Sequence, residues 1–210
     1  MIILDLETSG LSLEKSGIWQ IGAIDTITKE EFLDEAKIDD EDEISQEALK
    51  IIGKTEEYLR DSSKQSQKQM IVNFLGWVEK RKHRNFLCQN PMWDLGWLTV
   101  RMGKYGLKKT FGHRSFDLHT IAQTKYKETY GKFLLKDDGK SDMNLSKILG
   151  FCGLEDKRML IHYGEVVQEG APHNALEDCK IEGECFSRLI EGKNLFPEFS
   201  QYEIPEVLRK

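Results

Sequence analysis

The opening of the chain constrains its fold most, because an apolar run begins at the first residue and ends in two acids. Met1 to Leu6 predicts a β-strand, and Ile18 to Ile27 (IWQIGAIDTI) predicts a second strand after a turn that contains glycine and serine. Two strands joined by so short a connection are expected to pair as an antiparallel hairpin. A possible third strand covers Glu31 to Ile38. The chain is therefore expected to build a sheet around its first residues.

Helical and strand patterns alternate along the rest of the chain. The predicted helices are a short one in SQEALKIIGKT, an amphipathic one from about Lys64 to Lys82, and others at Trp93 to Tyr105, Leu145 to Cys152 and Asn174 to Glu191. Strands are predicted at Arg84 to Gln89 and at the start of Phe116 to Lys125, which continues as a helix. This order predicts an α/β three-layer domain, in which a central mixed sheet combines the opening hairpin with parallel strands and is flanked by helices.

The last predicted helix has signals at both ends. Asn174 is a good N-cap, Glu177 three residues later resembles the second half of a capping box, and Gly192 is suited to end the helix. After this helix only a short tail follows. We expect one domain at residues 1–195 and a short C-terminal extension at 196–210.

Composition limits the class of protein. With 39% apolar and 31% charged residues, and only short apolar runs, the chain is expected to be soluble and to have no membrane span. No basic segment or cleavage site marks a signal peptide, so a cytoplasmic location is expected. The four cysteines form no CxxC pair, which favours reduced thiols over disulfides or a zinc site.

The net charge of −6 is unusual for a protein that binds phosphates, since nucleic-acid binding normally depends on Lys and Arg. The charges are unevenly distributed. Acids dominate from Asp25 to Asp61, whereas the stretch from Lys80 to Arg114 holds nine Lys and Arg residues against Asp94 alone. This stretch predicts either a locally basic face or ordinary solvated helix surfaces, and composition does not decide between them.

Asp5 and Glu7 lie two residues apart in the first predicted strand. Side chains at positions i and i+2 point to the same face of a sheet, so both carboxylates are expected to face one site. Adjacent like charges beside a buried run are costly unless a cation or proton compensates them. The alternative is a solvated strand end, and Asp39 and Glu41 show that the same spacing also occurs in a predicted loop.

Three further residues could join this site, each with a plain structural alternative. Asp94 begins a helix directly after a strand and an Asn-Pro turn, where an acid also stabilises the helix dipole. His173 and Asp178 lie on either side of the start of the last helix and can converge on one pocket, although this spacing also arises by chance. The remaining histidines lack a comparable acidic setting and are not expected to be ligands; they are His83, His113, His119 and His162.

Taken in order, these segments resemble the DEDDh exonucleases, a family that includes polymerase proofreading (epsilon) subunits, oligoribonuclease and bacterial ribonucleases that trim RNA 3′ ends. The segment LDLETSGL, with GIWQIGAI downstream, is similar to the first family motif, QNPMWDLGWL to the second and HNALEDCKIEGECFSRLI to the third. Weaker similarity lies between them, in EISQEALKIIGKT, SFDLHTIAQ and NLSKILGFCGL. The resemblance spans most of the chain.

The resemblance implies an RNase H-like fold and a metal-dependent 3′→5′ exonuclease. Asp5, Glu7, Asp94 and Asp178 would bind two divalent cations, Mg²⁺ or Mn²⁺, and His173 would be the general base. The substrate would be the 3′ end of single-stranded DNA or RNA, and the product a nucleoside 5′-monophosphate. Bound cations would neutralise the acidic cluster, so a chain of net charge −6 could still hold a polyanion.

The resemblance also implies contacts to the terminal nucleotide. They would come from Thr8, Ser9, Gly10 and Leu11, just after Glu7, and from the region of Ala48 and Ile52. Leu11 and Ile52 have an equally plain interpretation as core residues. Trp93 and Trp97 are expected to be core residues rather than platforms for bases.

Two segments depart from the family pattern. Residues 154–172 are longer than the connector that usually precedes the family's histidine, and the polar residues 125–144 resemble an insertion. Both are expected to be solvated loops rather than partner surfaces or substrate-selecting elements.

Other functions stay open at this point. A proofreading subunit of a polymerase would need a partner-binding tail, and residues 196–210 are short for that, although long enough for a clamp or homodimer contact. A nucleic-acid-binding module without catalysis should lack at least one of the five residues, and all five are present. The sequence does not decide between DNA and RNA, substrate length or pathway.

Overall fold

The computed structural model describes residues 1–162 and 164–210, except for the side chain of His162. The expectation for His162 therefore lies outside the described part. The strands are β1 (Ile2–Thr8), β2 (Ile18–Asp25), β3 (Glu31–Glu35), β4 (Phe86–Cys88), β5 (Ser115–Asp117), β6 (Leu160–His162) and β7 (Glu165–Gln168). The helices are α1 (Gln46–Ile52), α2 (Glu56–Leu59), α3 (Gln67–Glu79), α4 (Pro91–Lys104), α5 (Leu118–Tyr130), α6 (Leu145–Phe151) and α7 (Ala175–Glu191), followed by two 3₁₀ turns at Pro197–Phe199 and Glu206–Leu208.

The central sheet has the strand order β3-β2-β1-β4-β5. β1 pairs antiparallel with β2, and β2 with β3, as predicted for the opening hairpin. On the other edge of β1, strands β4 and β5 run parallel to it. The predicted mixed sheet is therefore confirmed.

Helices cover both faces of this sheet, and β1 shows how the sequence sorts residues between them. Its even-numbered residues Ile2, Leu4 and Leu6 belong to the core cluster that includes α3 and α4. Ile3 belongs to the cluster formed with α5, α6 and α7. Because side chains alternate along a strand, Asp5 and Glu7 share the face of Ile3 and point toward α7.

Gly22 allows α7 to approach the sheet at the point where the acids lie. It pairs with Asp5 across β1 and β2, and a Cβ atom on it would stand 2.3 Å from the backbone carbonyl carbon of Ala175. The side chain of Gln20 on the same strand accepts a hydrogen bond from the Ala175 amide at 2.8 Å. The first turn of α7 therefore rests directly on β2, beside Asp5.

The ends of α7 follow the sequence signals. The Asn174 side chain accepts from the amides of Leu176 and Glu177, and Gly192 has φ 66°, a conformation that favours glycine. The reciprocal half of a capping box is not among the described hydrogen bonds, because the Glu177 carboxylate pairs with Lys180 instead. The helix is fixed at its start by one side chain rather than two.

The two expected loops contain regular structure. Helix α5 continues to Tyr130, where Tyr126 and Tyr130 pack against Phe151, so the first part of segment 125–144 is helical. Segment 154–172 contains the hairpin β6–β7. The loop interpretation was wrong for these parts because tertiary packing and strand pairing offset their polar composition.

The basic stretch from Lys80 to Arg114 does not form one uniform face. Arg81 pairs with Glu30, Arg101 is buried against Asp42, and Lys104 pairs with two acids of the 39–41 run. The other basic residues precede β4 or β5 and so lie near the amino ends of these parallel strands. This is the end opposite the one at which Asp5 and Glu7 lie.

The C-terminal residues pack on the domain. Phe196 and Leu208 are buried in the cluster that includes α7, and the guanidinium of Arg188 donates to the carbonyl oxygens of Phe199 and Tyr202. None of the described helices has the length and apolarity needed to cross a membrane.

Candidate active site

The five residues singled out in the sequence line one open cavity of about 400 Å³. Asp5 and Glu7 come from the end of β1, Asp94 from the first turn of α4, His173 from the loop before α7 and Asp178 from its first turn. β1 has a register shift between Glu7 and Thr8, and such bulges commonly re-aim side chains beside active sites. Three separate segments of the chain thus meet at one place.

The carboxylates of this cavity are largely withdrawn from water. Glu7, Asp94 and Asp178 are each less than a tenth exposed. Burial raises the pKa of Asp5 well above its usual range, and repulsion from Asp178 and Asp94 adds to the rise. Burial also raises the pKa of Asp94 to about 8, although backbone hydrogen bonds from Asp94 and Leu6 oppose it. Repulsion between these buried carboxylates destabilises the folded state.

Several of these buried oxygens have no hydrogen-bond partner. Oδ1 of Asp94 and Oδ1 of Asp178 are both buried and unpaired among the described residues. Native proteins rarely leave a buried acceptor unsatisfied without a reason, and an ion is one such reason. Hydrogen bonds from the described residues therefore do not fully compensate the negative charge of this cluster.

His173 is held by its backbone and its ring. Its amide donates to the carbonyl oxygen of Ile51 in α1 at 3.0 Å. Its Nε2 lies 2.9 Å from the carbonyl oxygen of Met159, which can only accept, so Nε2 carries the hydrogen. Nδ1 then faces the acids, 3.7 Å from Oδ2 of Asp178.

A family model described as exonuclease (RNase T) matches residues 2–186. The chain belongs to the RNase T-type exonuclease family. It is thus a member of the DEDD group of 3′→5′ exonucleases, a hydrolase that acts on nucleic acids, and the resemblance seen in the sequence is confirmed. No curated protein matches the sequence of the chain.

Solved structures share the fold at low sequence identity. The nuclease domain of 3′hExo, a DEDDh family member bound to rAMP, has a TM-score of 0.62 at 16% identity, covering 98% of this chain and 95% of that one. Apo exonuclease I has a TM-score of 0.67 at 17% identity, with 91% of this chain and 42% of that chain covered. Cell-death related nuclease 4 has a TM-score of 0.64 at 15% identity, with 92% and 64% covered. These likenesses show the RNase H-like exonuclease fold that the sequence predicted.

The site of this RNase T-type exonuclease suits divalent cations, on which the family typically depends. One ligand atom from each of Glu7, His173 and Asp178 lies within 4.8 Å of the others. Carboxylate oxygens are the ligands that Mg²⁺ and Mn²⁺ prefer. The unpartnered oxygens of Asp94 and Asp178 add further donors, so the residues present fit a metal centre.

Two charged cavity residues that are largely withdrawn from water were missed in the sequence. Glu182 lies one helical turn after Asp178 on the same face of α7, is 1% exposed and has an unpartnered Oε2. Its i+4 spacing from Asp178 could have revealed it. Arg158 precedes β6 and reaches the cavity from the segment expected to be a loop, for which the sequence offers no local signal.

Most of the residues suggested for nucleotide contact also line the cavity, namely Thr8, Gly10, Leu11, Ala48 and Ile52. Ser9 does not. Its buried hydroxyl donates to the carbonyl oxygen of Glu43 and accepts from the amide of Gly17, so it ties the loop together from behind.

The apolar residues near the cavity divide between surface and core. Leu11 is 79% exposed, whereas Ile52 is buried in a cluster with Trp19 and so serves the core as well. Trp97 is fully buried, as expected for a core residue. Trp93 is only partly buried and faces the cavity.

Proposed function

We propose that this exonuclease removes nucleotides one at a time from the 3′ ends of single-stranded DNA or RNA and releases nucleoside 5′-monophosphates. The observation that carries the proposal is the meeting of Asp5, Glu7, Asp94, His173 and Asp178 around one cavity, with buried carboxylate oxygens that lack partners. Neither a solvated strand end nor a helix-capping acid requires such a convergence.

The four acids would hold two divalent cations. When bound, such cations stabilise charge on the phosphate and lower the pKa of a water so that it can attack. The chain's own contribution is to fix the ligands on rigid elements, the end of β1 and the first turns of α4 and α7. Rigid placement matters because small displacements of reacting groups cost much of the rate.

His173 would take the proton of the attacking water at Nδ1. An imidazole can exchange a proton near neutral pH, which suits a general base. The hydrogen bond from Nε2 to the Met159 carbonyl leaves the Nδ1 lone pair directed toward the acids. The hydrogen bond from the His173 amide to Ile51 fixes the backbone from which this ring extends.

The size of the cavity favours the end of one strand as substrate. A space of about 400 Å³ is near the lower limit for ligand pockets and suits a single terminal nucleotide. The exposed side chain of Leu11 stands at its border, where it could contact the last base. Solved relatives support this assignment, since E. coli exonuclease I has been crystallised with a dT13 oligonucleotide and another 3′-exonuclease recognises a histone mRNA stem-loop.

The test uses DNA and RNA strands labelled at the 5′ end, with Mn²⁺ or Mg²⁺. We expect a ladder of products that shortens by single nucleotides and is abolished by chelator or by Asp5→Ala. Asp137→Asn, a change at an exposed acid far from α7 in sequence, is the matched control and should leave the ladder unchanged. Internal cuts or no cleavage by the wild-type protein would contradict the proposal.

The role of His173 has its own test. His173→Ala should lower kcat by about 10²- to 10⁴-fold, the usual contribution of a general base, while Mn²⁺ affinity measured by calorimetry changes little. A variant with normal turnover would remove His173 from the mechanism. A parallel loss of Mn²⁺ affinity would instead make it a metal ligand.

A further inference from the structure

The segment between α6 and α7 places a cation against the acidic cavity. Arg158 lines the cavity together with Glu7, Asp94 and Asp178. Among the described residues of that lining, it is the one side chain with a permanent positive charge. Its side chain is only 13% exposed. A buried arginine at a phosphate-cleaving site calls for an explanation, because withdrawing its charge from water is costly.

Asp156 fixes the orientation of this arginine. Nε and Nη2 of Arg158 donate to the two carboxylate oxygens of Asp156 at 3.0 and 2.9 Å, and the Arg158 amide donates to Oδ1. Asp156 is itself held by the hydroxyl of Ser146 at 2.6 Å. The guanidinium is therefore clamped along one edge, and its remaining nitrogen cannot rotate away.

The backbone around Arg158 is equally well tied. The side-chain amide of Gln168 donates to the carbonyl oxygens of Asp156 and Arg158. A Cβ atom on Gly170 would stand 2.5 Å from the Arg158 carbonyl group, so the residues just before β6 and just after β7 are in close contact. The next residue, Met159, supplies the carbonyl that accepts from His173. The same short stretch therefore positions both the arginine and the histidine.

The guanidinium nitrogen that does not contact Asp156, Nη1, points into the acidic cluster. It donates to Oδ2 of Asp178 at 3.3 Å, a long bond, and Oδ1 of Asp178 has no partner among the residues that the structure describes. Nε and Nη2 are already paired with Asp156, and this pairing holds the segment in place. The contact from Nη1 to Asp178 is therefore not needed to stabilise the segment. Arginine donors in a fixed plane match phosphate oxygens closely.

We propose that Arg158 is a substrate-binding residue whose Nη1 donates to a non-bridging oxygen of the terminal phosphodiester, with Asp156 as the positioning residue. This inference rests on the proposed exonuclease function. It gives the 154–172 segment a role, since the segment brings to the site a positive charge that belongs to the chain rather than to a bound ion.

The test compares Arg158→Gln with Lys157→Gln, which removes the same charge from the neighbouring exposed residue. Two dissociation constants are measured by calorimetry: that of Mn²⁺ alone, and that of AMP or dTMP in the presence of Mn²⁺. Arg158→Gln should weaken nucleotide binding about tenfold or more, the usual effect of losing a hydrogen bond to a charged group. Its Mn²⁺ affinity should be unchanged or higher, because Asp178 loses a competing cation. Lys157→Gln should match the wild type in both.

Two outcomes would overturn the inference: unchanged nucleotide affinity in Arg158→Gln, or a loss of Mn²⁺ and nucleotide affinity together, which would mark Arg158 as structural. If Arg158→Gln does not fold, Arg158→Lys keeps the charge but not the fork, and wild-type nucleotide affinity in that variant would also overturn it. A wild-type protein that binds no nucleotide and cleaves no strand would contradict the proposed function itself, which separates the two failures.

Discussion

The buried acids in the two halves of α7 differ in the hydrogen-bond partners of their carboxylates. In the first half, Asp178 and Glu182 face the cavity, and each keeps a buried oxygen that has no partner in the described part of the chain. In the second half, Glu184 is equally buried, yet it accepts from Nε of Arg188 at 2.8 Å and from the amides of Leu195 and Phe196. All three acids are buried, and they differ in how completely their oxygens are paired. Asp178 accepts one long bond from Arg158, whereas both oxygens of Glu184 accept hydrogen bonds.

Arg188 completes the second half. Its guanidinium also donates to the carbonyl oxygen of Cys152, to the Asn194 side chain and to carbonyls of the C-terminal tail. A fully satisfied network specifies structure, whereas a partly satisfied one in a native protein indicates function. Under the proposed function, one end of this helix contributes to stability and the other end to catalysis.

The largest expected effect is on the cleavage rate, and it comes from a substitution in the first half of α7. Asp178→Asn should lower the rate of cleavage of a 5′-labelled strand by about a thousandfold or more, since a lost contact to one of the proposed cations would remove several kcal/mol of transition-state stabilisation. The melting temperature in chelator should not fall, because the change removes one of several repelling charges. A retained rate, or a protein that loses both rate and stability, would remove the distinction between the two halves.

In the second half of α7, a substitution should lower the stability of the fold. Arg188→Met leaves Glu184 as an uncompensated buried charge, and breaking such a pair typically costs about 3–5 kcal/mol. The free energy of unfolding by urea measures this loss. Arg209→Met, at an exposed arginine that pairs with Glu203, is the control and should lose less than about 1 kcal/mol. Equal effects of the two changes would refute a structural role for the network.

Glu182 gives a smaller effect on stability, whose size depends on pH. Burial, and then repulsion from Asp94 and Asp178, raise its pKa well above the usual range. As pH rises above the ordinary value of 4.5, the unfolded chain releases this proton more readily than the folded one, so stability falls. In chelator, Glu182→Gln should therefore stabilise the protein by about 1 kcal/mol at pH 8 and by less at pH 5.

Urea titrations at the two pH values check this, with Glu165→Gln at an exposed glutamate as the control. A gain in the free energy of unfolding that does not grow with pH would show that ionisation of Glu182 does not cause the effect. A loss of stability at both pH values would place Glu182 with Glu184 rather than with Asp178.

The sequence predicts those features of the site that depend on neighbouring residues, and it does not predict contacts between distant parts of the chain. The alternation of apolar residues in β1 predicts that Asp5 and Glu7 share a face, and Asn174 and Gly192 predict the ends of α7, because these signals are local. The position of Glu182 also follows from helical spacing. Arg158 could not be predicted, since a paired hairpin inside a polar segment brings it to the site and no local pattern records that contact.

Asp156 should give the smallest effect, because it is a satisfied acid beside the unsatisfied cluster. Although burial opposes it, hydrogen bonds from Arg158 and Ser146 hold the pKa of Asp156 at about 2. A lowered folded-state pKa contributes stability above the ordinary value of 3.8 that is lost as pH falls toward 2. Asn keeps one acceptor oxygen for Arg158, and the two side chains, 9% and 13% exposed, still reach solvent. Asp156→Asn should therefore cost no more than about 1 kcal/mol at neutral pH.

The pH dependence of that cost separates charge from packing. If the carboxylate charge stabilises the segment, the difference between the wild type and Asp156→Asn should shrink steadily between about pH 4 and pH 2, where the wild-type carboxyl also becomes neutral. A difference that persists at the lowest pH would assign the effect to the shape of the side chain. Asp138→Asn, at an exposed acid that pairs with Lys140, is the matched control and should show almost no difference at any pH.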